Sequence, residues 1–324
     1  MNLFHKVSML LAGLLLAGGG ALAQSGKPVN LMVPYPAGGP SDSIARIFNV
    51  PLGRELGEQV LVENVGGVGG AIAAQKVLAA PADGHYIFQG SPNEVILSPL
   101  ANAAVKLKTE DFRLVHPVAD AVMVFVARKD LPASSVDELI ALARKSGDKP
   151  LTYGSVGIGS LYHLILENVQ QVAGIKLIHA PYKGNAPLLQ DIGGGSVDFA
   201  VLVYSAGMGA LADQGRLKII GQLGAQRSEL LKNVPTVSEG KELKNFSYKI
   251  WTGFMVPKKT PEVVVKHLHV AIGKALQDPA VRSQLAVQAQ VPSAPMSLAE
   301  SAKFFETETT RYRAIAKSIN LQPE

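Results

Sequence analysis

The sequence predicts an α/β protein with mostly parallel sheets. Short β-branched, apolar runs alternate along the chain with longer amphipathic runs, the pattern of strand followed by helix. Several apolar runs end in turns rich in glycine and proline. Serine, threonine or aspartate then stands where a helix would begin.

The first such unit is the clearest. Residues 29–33, VNLMV, read as a buried strand. Pro34, Pro36, Gly38, Gly39 and Pro40 stop it, Ser41, Asp42 and Ser43 are cap residues, and Ile44, Ala45, Ile47 and Phe48 continue with helical spacing. A strand that turns into a helix start leaves N–H groups pointing outward, with the partial positive end of the helix dipole behind them. Such a turn suits an anion such as a carboxylate. A tight βα turn without a ligand fits the same residues.

Further units follow. Residues 59–64 read as a strand, Gly66, Gly67, Val68, Gly69 and Gly70 as a turn, and 71–80 as a helix. A dinucleotide fingerprint fails here because its third glycine would fall at Ile72, so close helix packing is the better use of these glycines. Residues 85–90 form the next strand, with Ser91, Pro92, Asn93 and Glu94 at its carboxyl end before a helical run. Residues 112–128 are one apolar, β-rich stretch, and Ser135 with Glu138 is a capping box for a helix over 136–145.

Residues 151–155 repeat the opening logic. A strand ends at Ser155, a turn runs through Val156, Gly157, Ile158, Gly159 and Ser160, and a helix covers 161–173. The two turns, one in each half, are expected to face each other across a cleft, since ligands in such sheets sit outside the strand carboxyl ends. Strands are expected at 176–180, 197–204, 217–221 and 249–256, and helices at 187–192, 262–276 and from Pro279. A last helix, with Ser297 and Glu300 as its capping box, runs to about Ser318.

Composition narrows the function classes. The first 23 residues carry His5 and Lys6, an apolar stretch over 7–16 and a small-residue site at Ala21, Leu22 and Ala23, the pattern of a cleaved secretory leader. That stretch is short for a membrane span. The chain has no cysteine, which excludes disulfides, thiolate metal sites and a lipoprotein anchor. Net charge is +5, or +4 without the leader's single lysine, and no dense Lys/Arg cluster marks a nucleic-acid surface. His267 and His269, two apart on a helix, point away from each other, so no metal site or cofactor is expected.

Seven motifs in order resemble the tripartite tricarboxylate transporter substrate-binding proteins, the Bug family of periplasmic receptors. They are VPYPAGGPSDSIAR (33–46), VENVGGVGGAIAA (62–74), APADGHYIFQGS (80–91), LTYGSVGIGSLYHL (151–164), HAPYKGNAP (179–187), GGGSVDF (193–199) and VPTVSE (234–239). The resemblance implies a type II periplasmic-binding fold, two α/β lobes with a ligand cleft between them. Lobe 1 would be 24–125 plus 252–324 and lobe 2 would be 126–251, with hinge strands near 123–127 and 251–256. It implies a monomer that captures a small organic acid and docks on membrane permease subunits. Presentation of the acid to a sensor kinase is the other reading.

By that resemblance two βα turns grip one carboxylate. Carried over, the contacts would come from Tyr35, Ala37, Gly38, Gly39, Ser41 and Asp42 and from Ser155, Gly157, Gly159 and Ser160, with Tyr182 and Lys183 in a second-lobe wall; from their own places at strand ends or on the next helix turn, Ser91, Asn93, His163 and Tyr204 are also expected to reach the ligand. Read for themselves, several of these residues have another use. Asp42 suits capping its own helix better than facing an anion. Lys183 either pairs with a distal carboxylate or is solvated at the rim. His163 fits ligand contact or a buried hydrogen-bonded role. The apolar residues 200–203 and Tyr204 offer no carboxylate for an ammonium group, which disfavours an amino-acid ligand. Ser155 beside His163 would suggest a hydrolase, but Tyr153 occupies the first glycine position of a nucleophile elbow and no aspartate is placed as a third member.

Overall fold

The computed structural model describes residues 26–318 and 321–323; the expected leader lies outside the described residues. Strands β1 (Val29–Val33), β2 (Val60–Asn64), β3 (Tyr86–Gly90) and β4 (Phe112–Ala121) build a first sheet. The chain then makes a second sheet from β5 (Met123–Arg128), β6 (Thr152–Ser155), β7 (Ile178–Pro181), β8 (Phe199–Val203) and β9 (Leu217–Gln222). It returns to the first through β10 (Ile250–Pro257) and β11 (Gln290–Pro292). The orders are β11-β4-β10-β3-β1-β2 and β7-β6-β8-β5-β9.

Both sheets are mixed, which corrects the expectation of mostly parallel ones. The pairs around β1 and around β6 are parallel, as βαβ crossovers require. β4, β10 and β11 pair antiparallel in the first sheet, and β5 pairs antiparallel with β8 and β9 in the second. The antiparallel pairs involve the strands on either side of the lobe crossings. The apolar stretch 112–128 is accordingly two strands, with the change of sheet at Val122. The return is made before Ile250, where Tyr248 N donates to Leu223 O at 2.8 Å. Sheet membership thus changes slightly ahead of the expected limits at 125 and 252.

The helices follow local sequence with instructive differences. The first, Pro40–Leu56, starts at Pro40 with Gly39 as its cap residue, one turn position earlier than Ser41 to Ser43 suggested. Asp42 serves that start from inside: its Oδ2 accepts from Gly38 N (3.0 Å) and Arg46 Nε (2.9 Å). Burial pushes the Asp42 carboxyl up, but bonds from Arg46, Gly38 and Asn64 outweigh it and hold it below the usual range. Helix Val136–Lys145 is capped by Ser135, whose Oγ accepts from Glu138 N, while the Glu138 carboxylate takes the amide of Ser134. Helix Ala206–Asp213 and strand β11 lie outside the expected elements.

Each sheet is packed between helices. Phe48 of the first helix meets Phe254 of β10 edge to face, centroids 5.1 Å apart, in a cluster with Leu31, Leu52 and Leu268. The last helix, Leu298–Ser318, lies against the return crossing, where Tyr312 Oη donates to Lys249 O at 2.5 Å and Trp251 packs on Phe304 and Phe305.

Phe254→Ala should cost about 3–5 kcal/mol, measured by denaturant unfolding, because the ring is fully buried and its neighbours cannot collapse into its place. Asp42 has a second signature. Its carboxyl is lower in the folded chain than the ordinary value of about 3.9, so its stabilisation is present above that pH and is lost as pH falls through the folded value. The stability gap between wild type and Asp42→Asn should therefore be full near neutrality and close in strong acid; a gap that is flat with pH would contradict the assignment.

Candidate functional site

The strand carboxyl ends of the two lobes meet at a cleft of about 560 Å³, solvent at its mouth included. The first lobe contributes Tyr35, Pro36, Gly39, Pro40, Ser41 and Ile44 from the β1 turn and helix start, Ser91 and Asn93 from the end of β3, and Thr252 from β10. Ala121, Ile250 and Gln290 close its floor beside the hinge. The second lobe contributes Tyr162, Asn185, Ala186 and Val203. No charged side chain is among these described lining residues.

Two helix starts converge here. Pro40 opens one helix and Asn185 opens the other, Asn185–Gly194, from the opposite lobe. The first N–H groups of a helix have no acceptor within it, so Ser41 on one side and Asn185 and Ala186 on the other carry donors with the positive ends of two dipoles behind them. The segments touch: a Cβ on Gly184 would stand 3.0 Å from Pro36 Cδ. Gly66, from the glycine-rich turn after β2, packs on Pro36 from the other side, where a Cβ would stand 2.9 Å from Cδ.

Of the residues expected from sequence, Tyr35, Gly39, Ser41, Ser91 and Asn93 line the cleft. Ala37 and Gly38 are exposed at the tip of the first turn, and Asp42 is turned into its own helix start. The turn over 156–160 lies against the first lobe, and the amides of Gly157, Gly159 and Ser160 have protein partners. Gly157 N donates to Ser155 Oγ (3.2 Å), Gly159 N to His163 Nδ1 (3.0 Å), Ser160 N to Gly157 O (3.2 Å), and Leu161 N to Asn93 Oδ1 of the facing lobe (2.7 Å). Ser160 Oγ caps its helix by accepting from His163 N. Tyr182 Oη donates to Asp191 Oδ2 at 2.5 Å, Lys183 is exposed, and Tyr204 lies half-buried beside Gly209. None of these three is among the cleft-lining residues.

Ser155 pairs with a different histidine from the one expected. Its Oγ lies 2.7 Å from Nε2 of His179, whose ring stacks on His163 (centroids 4.1 Å) and on Tyr153 (4.9 Å). Burial, aided by neighbouring His163, drives His179 down to about 3, so it is neutral. Ser155 itself is fully buried. The group works as a packed support beneath the 156–160 turn.

Glu94 escaped sequence reading. It sits on a π-helical turn, Asn93–Leu97, and is completely buried. Tyr35 Oη donates to its Oε1, and Ser91 N donates to Oε2 at 2.5 Å. Burial raises the Glu94 carboxyl to about 7, against the lowering effect of those bonds. Tyr162, Asn185, Thr252 and Gln290 were also missed. The helix-start pattern after Gly184 was the one available signal, since the others come to the cleft only through the lobe crossings.

Comparison with known proteins agrees with this architecture. Residues 44–321 match the TctC model, described as the tripartite tricarboxylate transporter family receptor. A UPF0065 protein of Agrobacterium vitis, from the TAR-I ttuE-ttuC' intergenic region, is 33% identical over 267 residues, 82% of this chain and 76% of that protein. BugT of Bordetella pertussis is 31% identical over 269 residues, 82% of this chain and 81% of BugT. Among solved structures, periplasmic binding protein BugD superposes with TM-score 0.82 at 28% identity, covering 92% of this chain and 99% of BugD. The R. palustris protein Rpa4515, solved with adipate, superposes with TM-score 0.85 at 27% identity, covering 92% of this chain and 98% of that one. The chain belongs to the TctC family of tripartite tricarboxylate transporter receptors, which includes the Bug-type periplasmic binding proteins.

Proposed function

We propose that this chain is exported by its leader, residues 1–23, and captures a small carboxylate in the interlobe cleft for a tripartite tricarboxylate-type permease. The observation that carries the reading is a cleft with uncharged lining, where two helix starts meet and the hydroxyl-bearing residues Ser41, Ser91, Thr252 and Tyr162 stand among the lining residues. Such a lining stabilises negative charge by dipoles and neutral donors. It offers no carboxylate to an ammonium group, which favours a di- or tricarboxylate, or an aromatic acid stacked on Tyr35 or Tyr162, over an amino acid. The adipate held by Rpa4515 supports the same class. The chain acts by binding and release, and its closed form is what the permease recognises.

Calorimetric titration with adipate, malate, citrate and benzoate near neutral pH tests the reading. At least one acid should bind, and silence from all of a broadened panel of such acids would overturn it. Closure has its own variant. Gly159 has φ +72, and a Cβ there would lie 1.7 Å from Ala101 Cβ in the other lobe. Gly159→Ala should weaken binding of the acid by roughly tenfold or more, an overpacking penalty that falls on the closed form. Unchanged affinity would show that ligand does not need the lobes this close.

A further inference from the structure

Asn93 sits where three parts of the cleft meet. It belongs to the first lobe, it is 2% exposed, and its Oδ1 accepts at 2.7 Å from Leu161 N, the first amide of helix Leu161–Ala173 in the second lobe. Its Nδ2 faces Tyr35 Oη at 3.4 Å, and the Tyr162 hydroxyl is also within hydrogen-bonding reach. Tyr35 in turn donates to Glu94. We propose that Asn93 is a latch that holds the lobes closed whatever acid is bound, and that Glu94, acting through Tyr35, is the positioning residue that sets which way the Asn93 amide points. The proposal deepens the receptor reading and rests on it.

Ser91 N can only donate, so the Glu94 oxygen facing it must accept. The other carboxylate oxygen then accepts from Tyr35, whose single proton is committed there. Tyr35 Oη is left as an acceptor, so Asn93 must turn its NH₂ toward it and its oxygen toward Leu161 N. Each donor in the series has one consistent acceptor. An amide in place of the Glu94 carboxylate reverses the series. Its oxygen stays on Ser91 N, its NH₂ meets Tyr35, the Tyr35 proton swings to Asn93, and the Asn93 amide flips to put NH₂ against the Leu161 amide. The latch then opposes two donors.

The surroundings of Glu94 contain little that competes. Tyr35 and Tyr162 are the titratable groups whose interaction with it is resolved. The Gly67 to Gly70 turn packs on its Cγ and carries no titratable residue. Tyr312, on the last helix packed against this segment, spends its hydroxyl on Lys249 O.

The test reads closure without ligand. The chain has no cysteine, so Val50→Cys and Lys145→Cys, both on exposed positions of opposite lobes, take a dye pair cleanly for single-molecule energy transfer. Measurements are made above the pH at which Glu94 takes up its proton. In Asn93→Ala and in Glu94→Gln the ratio of closed to open molecules should fall about tenfold. The double variant should be no worse than Asn93→Ala alone, since both break one series. Leu161→Pro is an independent arm should Asn93→Ala fail to fold. Proline is tolerated at a first helical position, and Ser160 at φ −63, ψ 155 already has the conformation a following proline needs. It removes the amide itself and should lower closure as much. Wild-type closure in Asn93→Ala or Leu161→Pro, or additive losses in the double variant, would overturn the proposal. Failure of every acid to bind would strike the receptor reading and leave this readout intact.

Discussion

The arrangement depends on how closely two backbones approach. The 156–160 turn of one lobe lies against the 67–70 turn and the short helix Ser98–Ala101 of the other. A Cβ on Gly157 would come within 3.3 Å of Gly69 N, and one on Gly159 would overlap Ala101. Both glycines also have positive φ, so both sterics and backbone conformation select them. With side chains there, the lobes would stand apart, Leu161 N would miss Asn93, and the helix starts at Pro40 and Asn185 would not share one cleft.

Within that closed form, the cleft differs from an ion-pairing site. Its lining has no cation, while nearby charge is either spent or sealed: Asp42 on Arg46 and Gly38, Glu94 beneath Tyr35 and Ser91. A buried carboxylate raised to about 7 disfavours folding at higher pH, since burial disfavours its charged form. Keeping it satisfied with two donors fixes the orientation of Tyr35, and so of the wall against which a ligand lies. Under the proposed function, recognition by fixed dipoles, which need little reorganisation when an anion arrives, suits binding followed by release.

Much of this was legible locally. The β1 turn, the caps at Ser135, Ser160 and Ser297, and the alternation of strands with helices are short-range signals, and the structure carries each of them. The break at Val122 was hidden because apolar residues on both sides suit buried strands of different sheets. Helix Ala206–Asp213 is built mostly from small residues with weak amphipathicity, and β11 has three residues. The burial of Glu94 is a tertiary fact, since Ser91 to Glu94 reads equally well as a solvated helix start. The symmetry seen between the turns at 35–42 and 155–160 is real in backbone pattern. What closes off the second turn, namely Ser155, His163 and Asn93, comes from three separated segments.

In the proposed function one carboxylate lies between the helix starts at Pro40 and Asn185, held by neutral donors. A crystal structure with a bound acid tests it most directly. Carboxylate oxygens are expected within hydrogen-bonding distance of the Ser41 amide on one side and the Asn185 or Ala186 amide on the other. A carboxylate seated on the Lys183 ammonium, or on the 156–160 turn with its present hydrogen bonds broken, would contradict it.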